Sequence, residues 1–162
     1  MKKTEVIKSK ILDSDELERN LAFWRFKNRK IVFTNGCFDI LHRGHIEYLA
    51  QANDTGDVLI IGLNTDASVR RLKGAGRPVN PQEARAMVLA SLLFVDAVVL
   101  FDEDTPYNLI KTIQPDVLIK GADYKPENIV GYDIVTAKGG RVETVALVEG
   151  FSTTKVIENK PS

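Results

Sequence analysis

The sequence predicts a doubly wound α/β fold, and three observations carry that prediction. Runs of apolar β-formers alternate with stretches whose apolar residues recur at helical spacing. Turn signals such as Asn35-Gly36, Gly56-Asp57, Gln114-Pro115 and Gly139-Gly140 separate the two kinds of segment. The run at 58–63 is continuously apolar, as expected of a strand buried on both faces of a parallel sheet. The expected architecture is Rossmann-like, a mostly parallel five-stranded sheet with helices on both faces.

Residues 1–10 are polar and read as loosely held. Asp13 and Glu16 form a capping-box pattern opening a helix through about Lys27, with Leu17, Leu21, Trp24 and Phe23 as its buried face. No obvious catalytic group lies there, so residues 1–29 are read as an extension and packing helix. The first strand is 31–33, and a helix containing 46–52 follows it. After the second strand, Asn64-Thr65-Asp66 caps a helix that carries Val69 and Leu72. The next helix runs from Gln82 to about Phe94, the third strand from Asp96 to Phe101. Thr105-Pro106 reads as an N-cap followed by proline at the first helical position. A short strand at 117–119, a helix at 128–138 and a strand at 141–147 complete the alternation. Ser152, Thr153, Thr154 and Lys155 then stand at the start of a last helix, where free N–H groups favour an anion.

Composition narrows the function. A chain of 162 residues, 44% hydrophobic and 27% charged, is ordinary for one globular domain. Its net charge of +0 implies no general attraction to nucleic acid or to an anionic membrane, so any phosphate site must be local. One cysteine rules out an internal disulfide and suits a reducing cytoplasm. Met1-Lys2-Lys3 leads into charged residues rather than an apolar segment, so no secretory signal is expected. The apolar stretch 86–101 is broken by Ser91 and Asp96 and reads as helix then strand, not a membrane span. Neither a P-loop nor a G-x-G-x-x-G is present.

The chemistry concentrates where the first strand turns into the following helix. His42 and His45, at i and i+3, share one face of its first turn, where backbone N–H groups and the helix dipole attract anions. Gly44 between them lets a ligand approach the backbone. Helix capping and metal binding are the competing readings. A metal needs more ligands than this chain offers nearby, with Cys37 its lone cysteine. Phosphate binding is preferred. Downstream, Arg70, Arg71, Lys73 and Arg77 crowd a glycine-containing loop suited to a polyanion. Asp66 is either an N-cap or a group bordering the same cleft, while Gly121 and Asp123 suit either an ordinary turn or a nucleotide contact.

The block from Thr34 to His45 resembles the signature of the nucleotidyltransferase superfamily, a G-x-F-D turn followed by H-x-G-H. The similarity is greatest to D-glycero-β-D-manno-heptose 1-phosphate adenylyltransferases, which occur alone or as the C-terminal half of a bifunctional kinase/adenylyltransferase. Further matches are Arg71-Leu72-Lys73-Gly74, Arg77-Pro78-Val79-Asn80-Pro81, Glu103-Asp104-Thr105-Pro106 and Ser152-Thr153-Thr154. Glycerol-phosphate cytidylyltransferases carry an arginine just ahead of that last segment, whereas this chain has Ala146-Leu147-Val148.

The resemblance implies a nucleotidyltransferase domain at 30–162, with His42, His45 and Lys73 as the catalytic set. It implies nucleotide contacts from Asn35, Gly36, Cys37, Phe38 and Gly44, from Asp66, and from Lys120, Gly121 and Asp123. Phe151, Ser152, Thr153 and Thr154 would complete the nucleotide site, with Asp39, Arg77, Arg85 and Tyr124 toward the acceptor. The expected reaction moves AMP from ATP to a sugar 1-phosphate, with Mg²⁺ held through phosphates and no side-chain metal ligand assigned. The product would feed lipopolysaccharide-core or other surface-glycan synthesis. Expected partners are those two substrates and further copies of the chain in a homo-oligomer such as a dimer, with no nucleic acid or membrane. Transfer of CMP to glycerol 3-phosphate, and nucleotide sensing without turnover, are the rival expectations.

Overall fold

In the computed structural model, residues 1–148 are described together with Gly150, Ser152, Ile157 and Glu158. Five strands, β1 (Ile31–Gly36), β2 (Val58–Asn64), β3 (Ala97–Phe101), β4 (Val117–Gly121) and β5 (Arg141–Val145), form one sheet in the order β3-β2-β1-β4-β5. Every pairing is parallel, and β1 and β2 run in register from Ile31↔Val58 to Gly36↔Leu63. The chain winds outward from β1 through β2 to β3, then returns to place β4 on the other side of β1. The winding order therefore reverses between β1 and β4, where such folds open a crevice at the strand C-termini.

The helices are α1 (Lys3–Lys8), α2 (Ser14–Phe26), α3 (Arg43–Asn53), α4 (Asp66–Lys73), α5 (Gln82–Ala90), α6 (Tyr107–Ile113) and α7 (Tyr132–Ala137). Side chains alternate faces along a strand, and the two cores sort accordingly. Val32, Leu59, Ile61 and Val98 pack with Leu49 and Ala52 of α3 and with Ala86 and Leu89 of α5. Ile31, Phe33, Ile60 and Leu118 pack on the opposite face with Leu17 and Leu21 of α2, Ile110 and Ile113 of α6, and Val135 of α7. Among the described residues no helix is long and apolar enough to cross a membrane.

Several details depart from the expectations. The segment 1–10 is not loose: it holds α1, and Ile7 and Ile11 pack against the core. Lys10 and Leu12 pair with Val98 along the open edge of β3 (Val98 N–H to Lys10 O 2.8 Å, Leu12 N–H to Val98 O 2.9 Å). The capping box of α2 is present, but Phe23 is 57% exposed, because Leu17, Leu21 and Trp24 already fill the face toward the sheet. Strand β1 continues through Asn35-Gly36, since pairing with β2 satisfies their backbone before the chain turns. Thr65, not Asp66, is the N-cap of α4 and accepts from Ser68 N–H; Asp66 is its first residue. Pro106 occupies the N-cap of α6, one place earlier than expected. Helix α5 stops at Ala90, and β5 stops at Val145. The helix expected at 128–138 divides into a 3₁₀ turn, Pro126–Asn128, and α7. Gly131 separates them with φ +93°, and a Cβ there would lie 2.7 Å from Ile110 Cδ1.

Candidate active site

The C-terminal end of β1 delivers the chain into a tight turn, with Phe38 at φ +44°, and α3 begins with His42 as its N-cap. His45 is the third residue of that helix, so the two imidazoles stack with centroids 3.9 Å apart and planes 23° from parallel. Phe38 meets His45 edge-on at 5.3 Å. His42 N–H donates to His45 Nδ1 across a long 3.4 Å. With Nδ1 accepting, the neutral ring of His45 carries its proton on Nε2, which is then a donor for a ligand. Burial first, and the neighbouring His42 second, push the pKa of His45 down to about 4; burial also lowers that of His42. At neutral pH the pair is uncharged, and a phosphate placed against it would favour protonation.

These rings line a cleft of about 320 Å³, the size range of small-molecule sites. Asn35, Gly36, Cys37, Phe38 and Gly44 line it from the signature turn, and Lys120, Gly121, Asp123 and Tyr124 from the end of β4. Ser152 lines the same cleft as the two imidazoles. Phe151, Thr153, Thr154 and Lys155 lie outside the described residues. Lys120 Nζ donates to Asn35 O at 3.3 Å and sits 5.7 Å above the Tyr124 ring. Burial lowers its pKa, against the opposing pull of Cys37 and Asp123. A Cβ on Gly121 would fall 2.8 Å from Asp123 Oδ1 and 3.2 Å from Leu147 Cδ2, so a side chain there would displace the cleft wall.

A second polar cluster lies beside the first. Asp39 is buried, and its carboxylate accepts from Arg77 Nε (2.9 Å), Val79 N–H (2.8 Å) and Asn80 N–H (2.9 Å). These donors hold its pKa below the usual carboxylate range despite burial, which acts the other way and most strongly. The carboxylate thus clamps the loop between α4 and α5 onto the signature turn. Arg85, expected toward the acceptor, is buried rather than presented at the surface, only 2% exposed. Its guanidinium donates to Asn80 O (2.9 Å), Cys37 O (2.7 Å), Asn64 O (2.8 Å) and Asp66 Oδ1 (2.7 Å). One side chain joins the turn after β1, the end of β2, the start of α4 and the basic loop.

Lys73 is exposed at the end of α4 and acts electrostatically on Cys37 in the cleft wall. Burial raises the Cys37 pKa, while the positive charges of Lys73, Arg85, Lys120 and Arg77 pull it down. The acidic run before α6 is engaged away from the cleft: Asp102 accepts from Thr65 Oγ1, and Asp104 pairs with Arg71 at 2.9 Å. Sequence reasoning missed Tyr48, Leu147 and Val148, which also line the cleft. Tyr48 stands one position beyond His45 + 2 on α3, with its hydroxyl 2.8 Å from Thr34 Oγ1 and donating to Ile119 O at 3.2 Å. Its place three residues after His45, on the same helical face, was the available signal.

The family model described as cytidylyltransferase-like matches residues 33–159. The chain belongs to that family. It is 53% identical over 150 residues to the bifunctional protein HldE of Citrifermentans bemidjiense, covering 93% of this chain and 31% of that protein. It is 58% identical to the bifunctional protein HldE of Campylobacter jejuni, covering 92% and 31%. The chain therefore spans about a third of the length of these relatives. Among solved structures, a lipopolysaccharide core biosynthesis protein from Thermoplasma volcanium superposes with a TM-score of 0.59 at 25% identity, covering 74% of this chain and 97% of that one. A pantoate-β-alanine ligase from Francisella tularensis, at 17% identity and TM-score 0.56, shares the fold; the match covers 84% of this chain and 66% of that one.

Proposed function

We propose that the protein is an adenylyltransferase that moves AMP from ATP to a sugar 1-phosphate, D-glycero-β-D-manno-heptose 1-phosphate before others, and releases pyrophosphate. The observation that carries this reading is the stacked His42–His45 pair at the start of α3, opening into the cleft that Lys120 and Ser152 share. The resemblance of the signature turn and basic loop to heptose 1-phosphate adenylyltransferases supports the acceptor, as do the HldE relatives. The name of the Thermoplasma volcanium protein fits a role in surface-glycan synthesis.

The acceptor phosphate is already ionised, so no strong general base is needed. One of its oxygens attacks the α-phosphorus of ATP in line; the bond from that phosphorus to the bridging oxygen breaks, and pyrophosphate leaves with the electron pair. Catalysis is then positioning and charge neutralisation. His45 Nε2 and His42 donate to the α- and β-phosphate oxygens as charge builds, Lys73 holds the leaving pyrophosphate with the segment from Ser152 to Lys155, and Lys120 with Gly121 and Asp123 holds the nucleoside end. Among the described residues no three His, Cys, Asp or Glu side chains group to hold a metal. We assign no side-chain ligand to a Mg²⁺ arriving with ATP, which would be held through phosphate oxygens and would neutralise charge there. We place the reaction in the cytoplasm and the working form as a homo-oligomer.

Pyrophosphate release with ATP and with CTP, each offered heptose 1-phosphate and glycerol 3-phosphate, tests the proposal. Release with ATP and the heptose alone is expected. Release with CTP and glycerol 3-phosphate would reassign the enzyme, and tight ATP binding without release on any acceptor would make the domain a sensor.

A further inference from the structure

Backbone pairing between β1 and β4, the two strands that flank the crevice, stops early. The ladder joins them at Val32↔Val117 and Phe33↔Leu118, yet β1 runs on to Gly36 and β4 to Gly121. Their other neighbours stay paired to the ends, β1 with β2 as far as Gly36↔Leu63 and β4 with β5 as far as Gly121↔Val145. Past Leu118, side chains bridge the gap instead. Continuing the register sets Thr34 against Ile119, and the hydroxyl of Tyr48 on α3 reaches both: it lies 2.8 Å from Thr34 Oγ1 and donates to Ile119 O at 3.2 Å. A phenol has one proton, so Thr34 Oγ1–H is the donor of the shorter bond. One position further along, Lys120 Nζ donates to Asn35 O at 3.3 Å. Tyr48 lines the cleft with its ring, but the residue is buried, as is Thr34. Burial first, opposed by the Thr34 bond and reinforced by Asp123, pushes the Tyr48 pKa up to about 12. The hydroxyl therefore keeps its proton at neutral pH, and that proton is committed to the opposite wall rather than to a ligand.

We propose that Tyr48 is a positioning residue that sets the width of the nucleotide cleft, its hydroxyl tying β1 to β4 where their backbone pairing ends. The assignment rests on the adenylyltransferase reading, in which the phosphates meet the signature turn after β1 and the nucleoside meets the loop after β4. It adds what holds those two walls at the spacing of one ATP. A continued ladder would draw the walls to a strand separation of about 4.8 Å and close the crevice. With no tie at all, the ligand itself would have to bring the walls into place, and affinity would fall. Because Tyr48 belongs to α3, the same tie seats the helix whose first turn carries the two histidines.

Tyr48→Phe keeps the ring and removes only the tie. The full chain, as wild type and as Tyr48→Phe, is titrated by calorimetry with α,β-methylene-ATP and Mg²⁺, which spans both walls, and with pyrophosphate and adenosine, which each reach one. Nucleotide affinity should fall about tenfold, the net strength of one hydrogen bond, while pyrophosphate and adenosine stay within about twofold of wild type. A residue that only packs would not produce that split. Equal losses on all three ligands, or unchanged nucleotide affinity, overturn the proposal. Thr34→Val takes away the hydroxyl's other partner at nearly constant volume and should shift nucleotide affinity the same way by a smaller factor. It decides the matter if Tyr48→Phe does not fold, and no shift in it then overturns the tie. Pyrophosphate release from ATP and heptose 1-phosphate is assayed alongside in wild type. Nucleotide binding that depends on Tyr48 without release would keep the tie and remove the transferase reading; release with binding independent of Tyr48 would do the reverse.

Discussion

Two polar clusters stand side by side at the C-terminal edge of the sheet, and they are paired in opposite ways. In the cluster around Asp39 and Arg85, four donors from one guanidinium and three donors onto one carboxylate are satisfied at 2.7–2.9 Å by the protein itself. In the cleft the bonds of His45 and Lys120 are long, 3.4 Å to His45 Nδ1 and 3.3 Å from Lys120 Nζ, and both groups border open space. Buried polar groups that are fully matched hold a shape, whereas groups left with poor partners gain most when a ligand arrives. The first cluster is a clamp and the second a grip.

The contrast can be broken by substitution, and the largest effect belongs to the clamp. Arg85→Met should leave Asp66 and three carbonyls without their donor, lowering unfolding free energy by about 3–5 kcal/mol in a denaturant titration. A loss below 1 kcal/mol would show that the clamp is not structural. In the grip, His45→Ala should lower kcat by about 10²–10³ with little change in stability or ATP affinity. Unchanged turnover would remove His45 from the mechanism.

A third measurement sharpens the comparison through pH. His45 sits below its ordinary value, so between about 6.5 and about 4 the unfolded chain binds the extra proton and the native chain does not. Its stability contribution is complete above that window and falls as pH drops through it, by up to about 3 kcal/mol. Comparing the pH dependence of thermal unfolding in wild type and His45→Asn isolates it; identical slopes would contradict the burial of the imidazole. The smallest effect belongs to a pair in neither cluster. Glu47→Ala removes an exposed i,i+4 partner of Arg43 and should change stability by less than about 0.5 kcal/mol, with turnover unaltered.

Local pattern was enough for much of this protein. Buried parallel strands need unbroken apolar runs, so β1, β2 and β4 could be read directly, as could the capping box of α2. A strand-to-helix turn carrying two histidines at i and i+3 sets their mutual position within a few residues, and they do stack. Long-range geometry had no such trace. Nothing near Arg85 in the chain says that its guanidinium will be buried, since Cys37 and Asn64 become its partners only when β1 and β2 lie parallel. Asp39 likewise meets Val79 and Asn80 only after the basic loop has folded back over the turn. Spacing within one element follows from backbone geometry, but the pairing of buried charges depends on which distant segments the sheet brings together, and that is decided by packing.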